Sequence, residues 1–401
     1  MTPPATPPSV PGAPAPPPAA PGADVIEVGP HASGVYDPPQ RPPGLWRRVL
    51  QRHADRKGAR WGLFAAIALT GVGAFFALRY DEGTPTPLAP AVRVDSASVG
   101  PATNAPSGIV PSFDPSASPE ASFRVRTARV ASGYRTVAVF ANPGEAVPLS
   151  AEGRAGRFVL NASAGAVRPA GPNHWRWTAP ARPGLHRLTM RDAASGETVR
   201  INAIVRTPFD PASEAIGGFR VGPYGRTPHR RNPVYRTPRG LVALTPGMAD
   251  IAVSPHLTLG QFMPKQPGAP TRYMLLDERL IVKLERLLDR ARKAGLPARR
   301  LVVMSGYRTP WYNATIGNET TFSAHLYGAA ADVYVDDDGD GTMDDLNGDG
   351  RVTLDDARAL HAVAEGLDAD PDVRGGLGLY PANAVHGPFI HLDVRGERAR
   401  W

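Results

Sequence analysis

Two histidines and an aspartate stand in an order that can build a metal centre. The stretch SAHLYGAAAD, residues 323–332, sets His325 and Asp332 around a small, glycine-bearing segment, and FIHLD, residues 389–393, returns His391 inside an apolar run. Two imidazole nitrogens and one carboxylate oxygen suit zinc, and three protein ligands leave a fourth position for water. An open position separates a catalytic zinc site from a structural one, so these residues point to metal-assisted hydrolysis. The chain has no cysteine, which excludes thiolate ligation and any disulfide framework.

A second set of oxygen ligands lies between Asp332 and His391, in VDDDGDGTMDDLNGDGRVTLDDARAL. Asp345, Asn347, Asp349, Gly350, Arg351, Thr353 and Asp356 fall at positions 1, 3, 5, 6, 7, 9 and 12 of an EF-hand-type loop, which predicts calcium. Asp336, Asp338 and Asp340 start an overlapping loop just upstream. The insertion is expected over 336–367, with a helix beginning at Leu354.

These groups need a frame. Asp277 is placed to cap a helix in which Leu280, Ile281, Leu284, Leu287, Leu288 and Ala291 recur at helical spacing, with Gly295 as the stop. RLVVMSGYRTP reads as a buried strand, Leu301 to Met304, ending in a turn that presents Tyr307 and Arg308. Before this domain, which is expected over 245–401, residues 207–244 read as a basic, proline-broken connector. Residues 123–206 alternate apolar and polar between turn signals, as in FRVRTARV, TVAVFA and HWRWTA, and predict an immunoglobulin-like β-sandwich. Trp175 and Trp177 share one strand face there and are expected to be buried or half-buried in a spacer, the other reading being a wall-binding platform.

The front of the chain has a different composition. The 401 residues include 45 prolines, concentrated towards the beginning. Residues 1–44 are rich in Pro, Ala and Gly and predict a disordered tail. A basic juxtamembrane segment, 45–60, precedes the charge-free WGLFAAIALTGVGAFFAL, and 61–79 is expected to be one transmembrane helix with the N-terminus in the cytoplasm. A Pro/Ser-rich linker, 80–122, would then hold the folded part in the periplasm. The net charge of +8 fits anionic surroundings such as lipid headgroups or cell-wall polymer, and nucleic acid is not expected as a partner. The fold class expected is therefore multidomain: tail, membrane helix, all-β sandwich and a C-terminal α+β domain with an EF-hand-like insertion.

The order SGYRTPWYN, SAHLYGAAAD and GGLGLYPANAVHGPFIHLDVRG resembles the zinc D-alanyl-D-alanine carboxypeptidase family, and its periplasmic murein endopeptidase branch in particular. The likeness covers about residues 250–401. It implies an enzyme that cuts stem or cross-link peptides of peptidoglycan, with zinc held by His325, Asp332 and His391. It implies that Arg308 binds a substrate carboxylate or polarises the scissile carbonyl, a task suited to a planar, permanently charged fork. Ser323 is implied as a donor behind the ligands, and Asp393 as a partner that orients His391. Many relatives carry an acid or histidine three residues before the last ligand, where this chain has Pro388. His386, five residues before that ligand, matches a histidine used in the carboxypeptidase branch, which implies it for water activation or oxyanion stabilisation, with Asp393 as the alternative. A non-catalytic wall-binding protein with structural zinc and a calcium-dependent adhesion or scaffold protein are the alternatives.

Overall fold

The structure is a computed structural model that describes residues 118–225, 232–318, 320 and 322–401. Nine strands open it: β1 (Glu120–Arg126), β2 (Ala131–Tyr134), β3 (Thr136–Ala141), β4 (Ala146–Glu152), β5 (Phe158–Ala162), β6 (Ala166–Gly171), β7 (His174–Thr178), β8 (Gly184–Asp192) and β9 (Thr198–Val205). They form a five-stranded sheet, β2-β1-β4-β7-β6, and a four-stranded sheet, β3-β9-β8-β5. Alternate residues of both sheets, among them Phe123, Leu149, Met190 and Ile201, share one core. Trp177 lies at its centre, with the indole N–H donating to Ala164 O at 2.9 Å, and Trp175 packs half-buried against the same cluster. A buried indole that finds one acceptor satisfies its only polar group.

The expected connector is not a connector. Short strands β10 (Thr207–Pro208), β11 (Ala215–Ile216), β12 (Phe219–Arg220) and β13 (Gly240–Leu244) fold into the next domain, where β10, β13 and β14 (Arg272–Met274) form a sheet. Phe209, Phe219, Val221, Tyr224, Val234, Tyr235 and Leu241 are buried in that domain's core. Its apolar residues, hidden in sequence among arginines and prolines, make it an integral layer.

The C-terminal domain centres on a second five-stranded sheet, ordered β15 (Leu301–Ser305), β16 (Ala330–Val335), β18 (Phe389–Asp393), β17 (Gly376–Tyr380) and β19 (Ala399–Arg400). Helix α1 (Glu278–Lys293) begins where Asp277 Oδ1 accepts from Arg279 N, and ends before Gly295 at φ +82°. Its apolar stripe, Leu280, Leu284, Leu287 and Leu288, enters the same core as Val333 and Ile390 of the sheet. A short α2 (Pro310–Thr315) follows β15, and α3 (Leu354–Glu365) packs on β17 and β18.

The fold class expected from the sequence is corrected in its membrane part. Among the described residues no helix is long and apolar enough to cross a membrane, and α-helix is confined to three segments of a mostly β structure. The longest, α1, has 16 residues and an outer face of charged side chains, whereas a span needs about 20 apolar residues. The expected tail, basic segment, membrane span and most of the linker lie outside the described residues.

Candidate metal centre

Sheet register assembles the site. Asp332 on β16 and His391 on β18 are direct partners in the antiparallel ladder, so their side chains share a face. Asp393, two residues beyond His391, falls on that face too. His325 arrives from a 3-10 turn, Ala324–Tyr327, that ends at Gly328 with φ +66°. A Cβ at Gly328 would meet the Leu275 carbonyl at 2.3 Å, so only glycine lets the turn lie against the chain leading into α1.

His325 Nε2 lies 3.2 Å from His391 Nδ1 and 3.3 Å from Asp332 Oδ1, and His391 Nδ1 lies 2.9 Å from the same oxygen. All three side chains are buried. The ring protons are claimed elsewhere: His325 Nδ1–H donates to Gly306 O at 2.7 Å, and His391 Nε2–H faces Asp393 Oδ2 at 3.4 Å. With those protons turned outward, three lone pairs point at one another, an arrangement that could hold a metal ion. Two nitrogens and an oxygen at zinc's usual bond lengths would sit about 3.3 Å apart at the corners of a tetrahedron. The observed spacings fit that donor set.

Electrostatics favour an ionised Asp332 and a neutral His325, while His391 is pulled the other way. Burial alone would raise the Asp332 carboxyl, but the charges and hydrogen bonds of His325 and His391 outweigh it and hold Asp332 well below the carboxylate range. Burial lowers His325. Burial opposes the charged form of His391 as well, yet its bonds to Asp332 and Asp393 win and raise it.

Arg308 sits beside the candidate metal ligands and holds one of them. Its Nη2 donates to Asp332 Oδ2 at 2.5 Å and its Nε to Ser305 Oγ at 2.8 Å. Two of its nitrogens thus hold a candidate ligand and its neighbour, while Nη1 makes no hydrogen bond among the described residues. Asp393 is corrected as a proton carrier: it is fully buried behind His391, accepts from Gly376 N at 2.7 Å and Arg395 N at 3.0 Å, and pairs with the Arg395 guanidinium. Burial works against its charge, but the bonds to His391 and Arg395 dominate and drive it far below its ordinary value. It orients the ring from the side opposite the three ligand atoms.

His386 is not joined to the three ligands. Its ring nitrogens face the Asn383 side-chain amide at 2.8 Å and Gly387 O at 2.8 Å, and the ring packs on Phe389. Ser323 caps the His325 turn by position, yet its hydroxyl makes no hydrogen bond among the described residues.

The two acidic loops behave unlike each other. Carboxylate oxygens of Asp336, Asp338 and Asp340 lie within 4.8 Å of one another. Among the described residues Asp345, Asp349 and Asp356 form no such group. Asp345 accepts from the amides of Gly348, Asp349 and Gly350, while Asn347 Oδ1 and Asp349 Oδ1 accept from Asp349 N and Arg351 N. Asp356, fully buried at the start of α3, spends Oδ1 on Leu346 N and Asn347 N and Oδ2 on Thr353 N. In the downstream loop the expected twelfth-position residue, Asp356, is the reciprocal cap of a helix.

Sequence reading missed two neighbours of the site. Lys265 lies close enough to Arg308 and Asp332 to feel both charges. Trp401 lays its indole 5.1 Å from the His391 ring, in space left by Gly378, where a Cβ would meet the indole nitrogen at 2.5 Å. Neither residue belongs to a motif. No family model, curated protein or solved structure matches the chain.

Proposed function

We propose that the chain is a zinc-dependent peptidase that hydrolyses peptide bonds in peptidoglycan stem or cross-link peptides, as an endopeptidase in preference to a carboxypeptidase. The observation that carries this reading is the convergence of His325 Nε2, Asp332 Oδ1 and His391 Nδ1 with both ring protons turned away. The ordered motifs SGYRTPWYN, SAHLYGAAAD and FIHLDVRG, which resemble murein peptidases, supply the substrate class. Such a substrate places the domain outside the cytoplasmic membrane. Zinc held there would supply Lewis-acid chemistry and water activation.

The chain's own residues have distinct tasks in this mechanism. Arg308 holds the Asp332 carboxylate in place, Gly306 O fixes the His325 tautomer and Asp393 that of His391. Burial of the three ligands excludes bulk water and strengthens each of these contacts. For His386 to move a proton, it has to leave Asn383 and Gly387 when substrate binds.

His325→Ala should abolish hydrolysis of purified muropeptides, followed by mass spectrometry, while leaving the thermal transition of the fold largely intact. Unchanged turnover would remove metal chemistry from the account. The self-bonded His386 and the proline at 388 favour a second reading, a wall-binding protein with structural zinc. That reading requires zinc-loaded native protein to bind muropeptides without cutting them.

A further inference from the structure

The segment leading to Gln266 runs alongside the turn that carries Arg308 and is tied to it on both sides of Lys265. Tyr307 N donates to Phe262 O at 3.3 Å, and Thr309 Oγ1 donates to Gln266 Oε1. Between the first tie and the second lie Lys265 on one strand of chain and Arg308 on the other. The approach leaves no room at Gly306, where a Cβ would sit 2.9 Å from Phe262 Cα. Gln266 is buried and its amide donates to Arg220 O at 2.8 Å, while Pro264 O accepts from Arg272 Nη1 at 2.9 Å. Backbone on either side of Lys265 is therefore fixed.

Its side chain is exposed and makes no hydrogen bond or ion pair among the described residues. Partial burial of the stem and the like charge of Arg308 hold its ammonium below the usual lysine range, with Asp332 acting in the other direction. Arg308 is already matched by Asp332. Among the described residues Lys265 thus leaves one positive charge without an ion-pair partner beside Arg308. A rigidly based cation with no ion pair among the described residues, close to buried candidate ligands, fits an anionic group brought by the substrate.

We propose that Lys265 forms the subsite for a free carboxylate of an acidic peptide substrate, on the Arg308 side of the His325–Asp332–His391 group. This rests on the peptidase reading and deepens it: the substrate carboxylate pairs with Lys265, and Arg308 keeps Asp332 in place. A lysine ammonium suits the task because it is a compact point charge that makes no demand for planar alignment.

The test uses the full-length, zinc-loaded chain, its Lys265→Ala and Lys265→Arg variants, and one stem peptide prepared with free carboxylates and as its carboxamide. Native protein should prefer the acid form by about tenfold or more in kcat/KM, as expected for a charge-assisted contact. Lys265→Ala should erase that preference through a raised KM with kcat little changed, and Lys265→Arg should keep it. Equal loss on acid and amide, or no change in their ratio, would overturn the subsite while leaving the peptidase reading intact. Where no peptide is cleaved, calorimetric binding of the same pair decides. A preference for the acid that vanishes in Lys265→Ala supports the subsite and sinks the hydrolase; equal binding of both forms to native protein overturns the subsite.

Discussion

Replacing Asp393 with Asn tests whether the second ring nitrogen of His391 governs metal binding. Asp393 Oδ1 accepts from Gly376 N at 2.7 Å and Arg395 N at 3.0 Å, and an asparagine oxygen can keep both bonds. The other oxygen is replaced by an NH2 that meets His391 Nε2–H, now 3.4 Å away, and Arg395 Nε–H, now 2.7 Å away, donor against donor. His391 then loses the acceptor that keeps its Nδ1 lone pair free for the metal. Loss of such a partner lowers affinity about 10- to 100-fold, or about 1.4 to 2.8 kcal/mol at 1.4 kcal/mol per decade. Competition with a chromogenic zinc chelator at about pH 8, where imidazoles are mainly neutral, gives the dissociation constant. Arg395→Ala separates the two consequences of the change: it removes the Arg395 salt bridge but leaves Asp393 facing His391, so zinc affinity should hold even where stability falls. An Asp393→Asn protein that is folded and binds zinc within about twofold of native would refute the argument.

Glu278→Gln should destabilise the chain by about 1 to 3 kcal/mol in urea unfolding, because the carboxylate accepts from Phe140 N at 3.0 Å and Thr127 Oγ1 at 2.8 Å and an amide must turn a donor towards one of them. A neutral result would mean that this buried junction relaxes without strain. Glu365 gives a pH-dependent prediction: hydrogen bonds from Arg400 first, then Arg398, outweigh a modest desolvation and lower it to about 2 from 4.5. A depressed carboxyl contributes stability that is fully present above 4.5 and is lost as pH falls through about 2. With the side chain 36% exposed, solvent screening limits the contribution to under about 1 kcal/mol. The difference in Tm between native and Glu365→Gln protein should accordingly be present at neutral pH and close as pH approaches about 2, and a gap that widens on acidification would contradict the pairing.

What the sequence makes visible here follows from periodicity and residue type. Helix α1 is legible because six apolar residues repeat at helical spacing between Asp277 and Gly295, and the sandwich strands because they alternate. The group that could hold a metal ion is legible because His and Asp in a glycine-bearing stretch, followed by a strand-borne His, match a donor set. The 207–244 layer was hidden, since its buried aromatics sit in two-residue strands and 3-10 turns too short to show any period. Lys265 has no local signal at all: its place beside Arg308 exists only once Phe262 and Gln266 are tied to the turn. The partners of His386 were hidden for a related reason, because spacing from His391 does not say that Asn383 and Gly387 would take its ring nitrogens. Arg308 was recognised as a site residue but not as the holder of Asp332, a pairing set by the register of β15 against β16.

Helix α1 explains why the sandwich is more than a spacer. At its start, Asp277 pairs with Arg129 and Glu278 bonds to Thr127 and Phe140, all from the sandwich. Asp277 N also donates to Gly328 O at 2.9 Å, at the end of the turn that presents His325. One turn further along, buried Lys283 donates to Asp393 O at 2.8 Å, on the strand that carries His391. Tyr134 of β2 closes the same face by donating to Asp289 at 2.8 Å. Two metal ligands are thus braced, through a single helix, against a domain that supplies none of the chemistry. Removing the sandwich would expose the apolar contact of Val130 with Val282 and leave Glu278 without its partners at the helix N-terminus. The first turn of α1 would fray, and Gly328 and the His325 turn would lose their anchor. The precision of the metal centre therefore depends on a junction more than a hundred residues away in sequence, since a helix cap and a sheet register are each rigid only while both of their neighbours are in place.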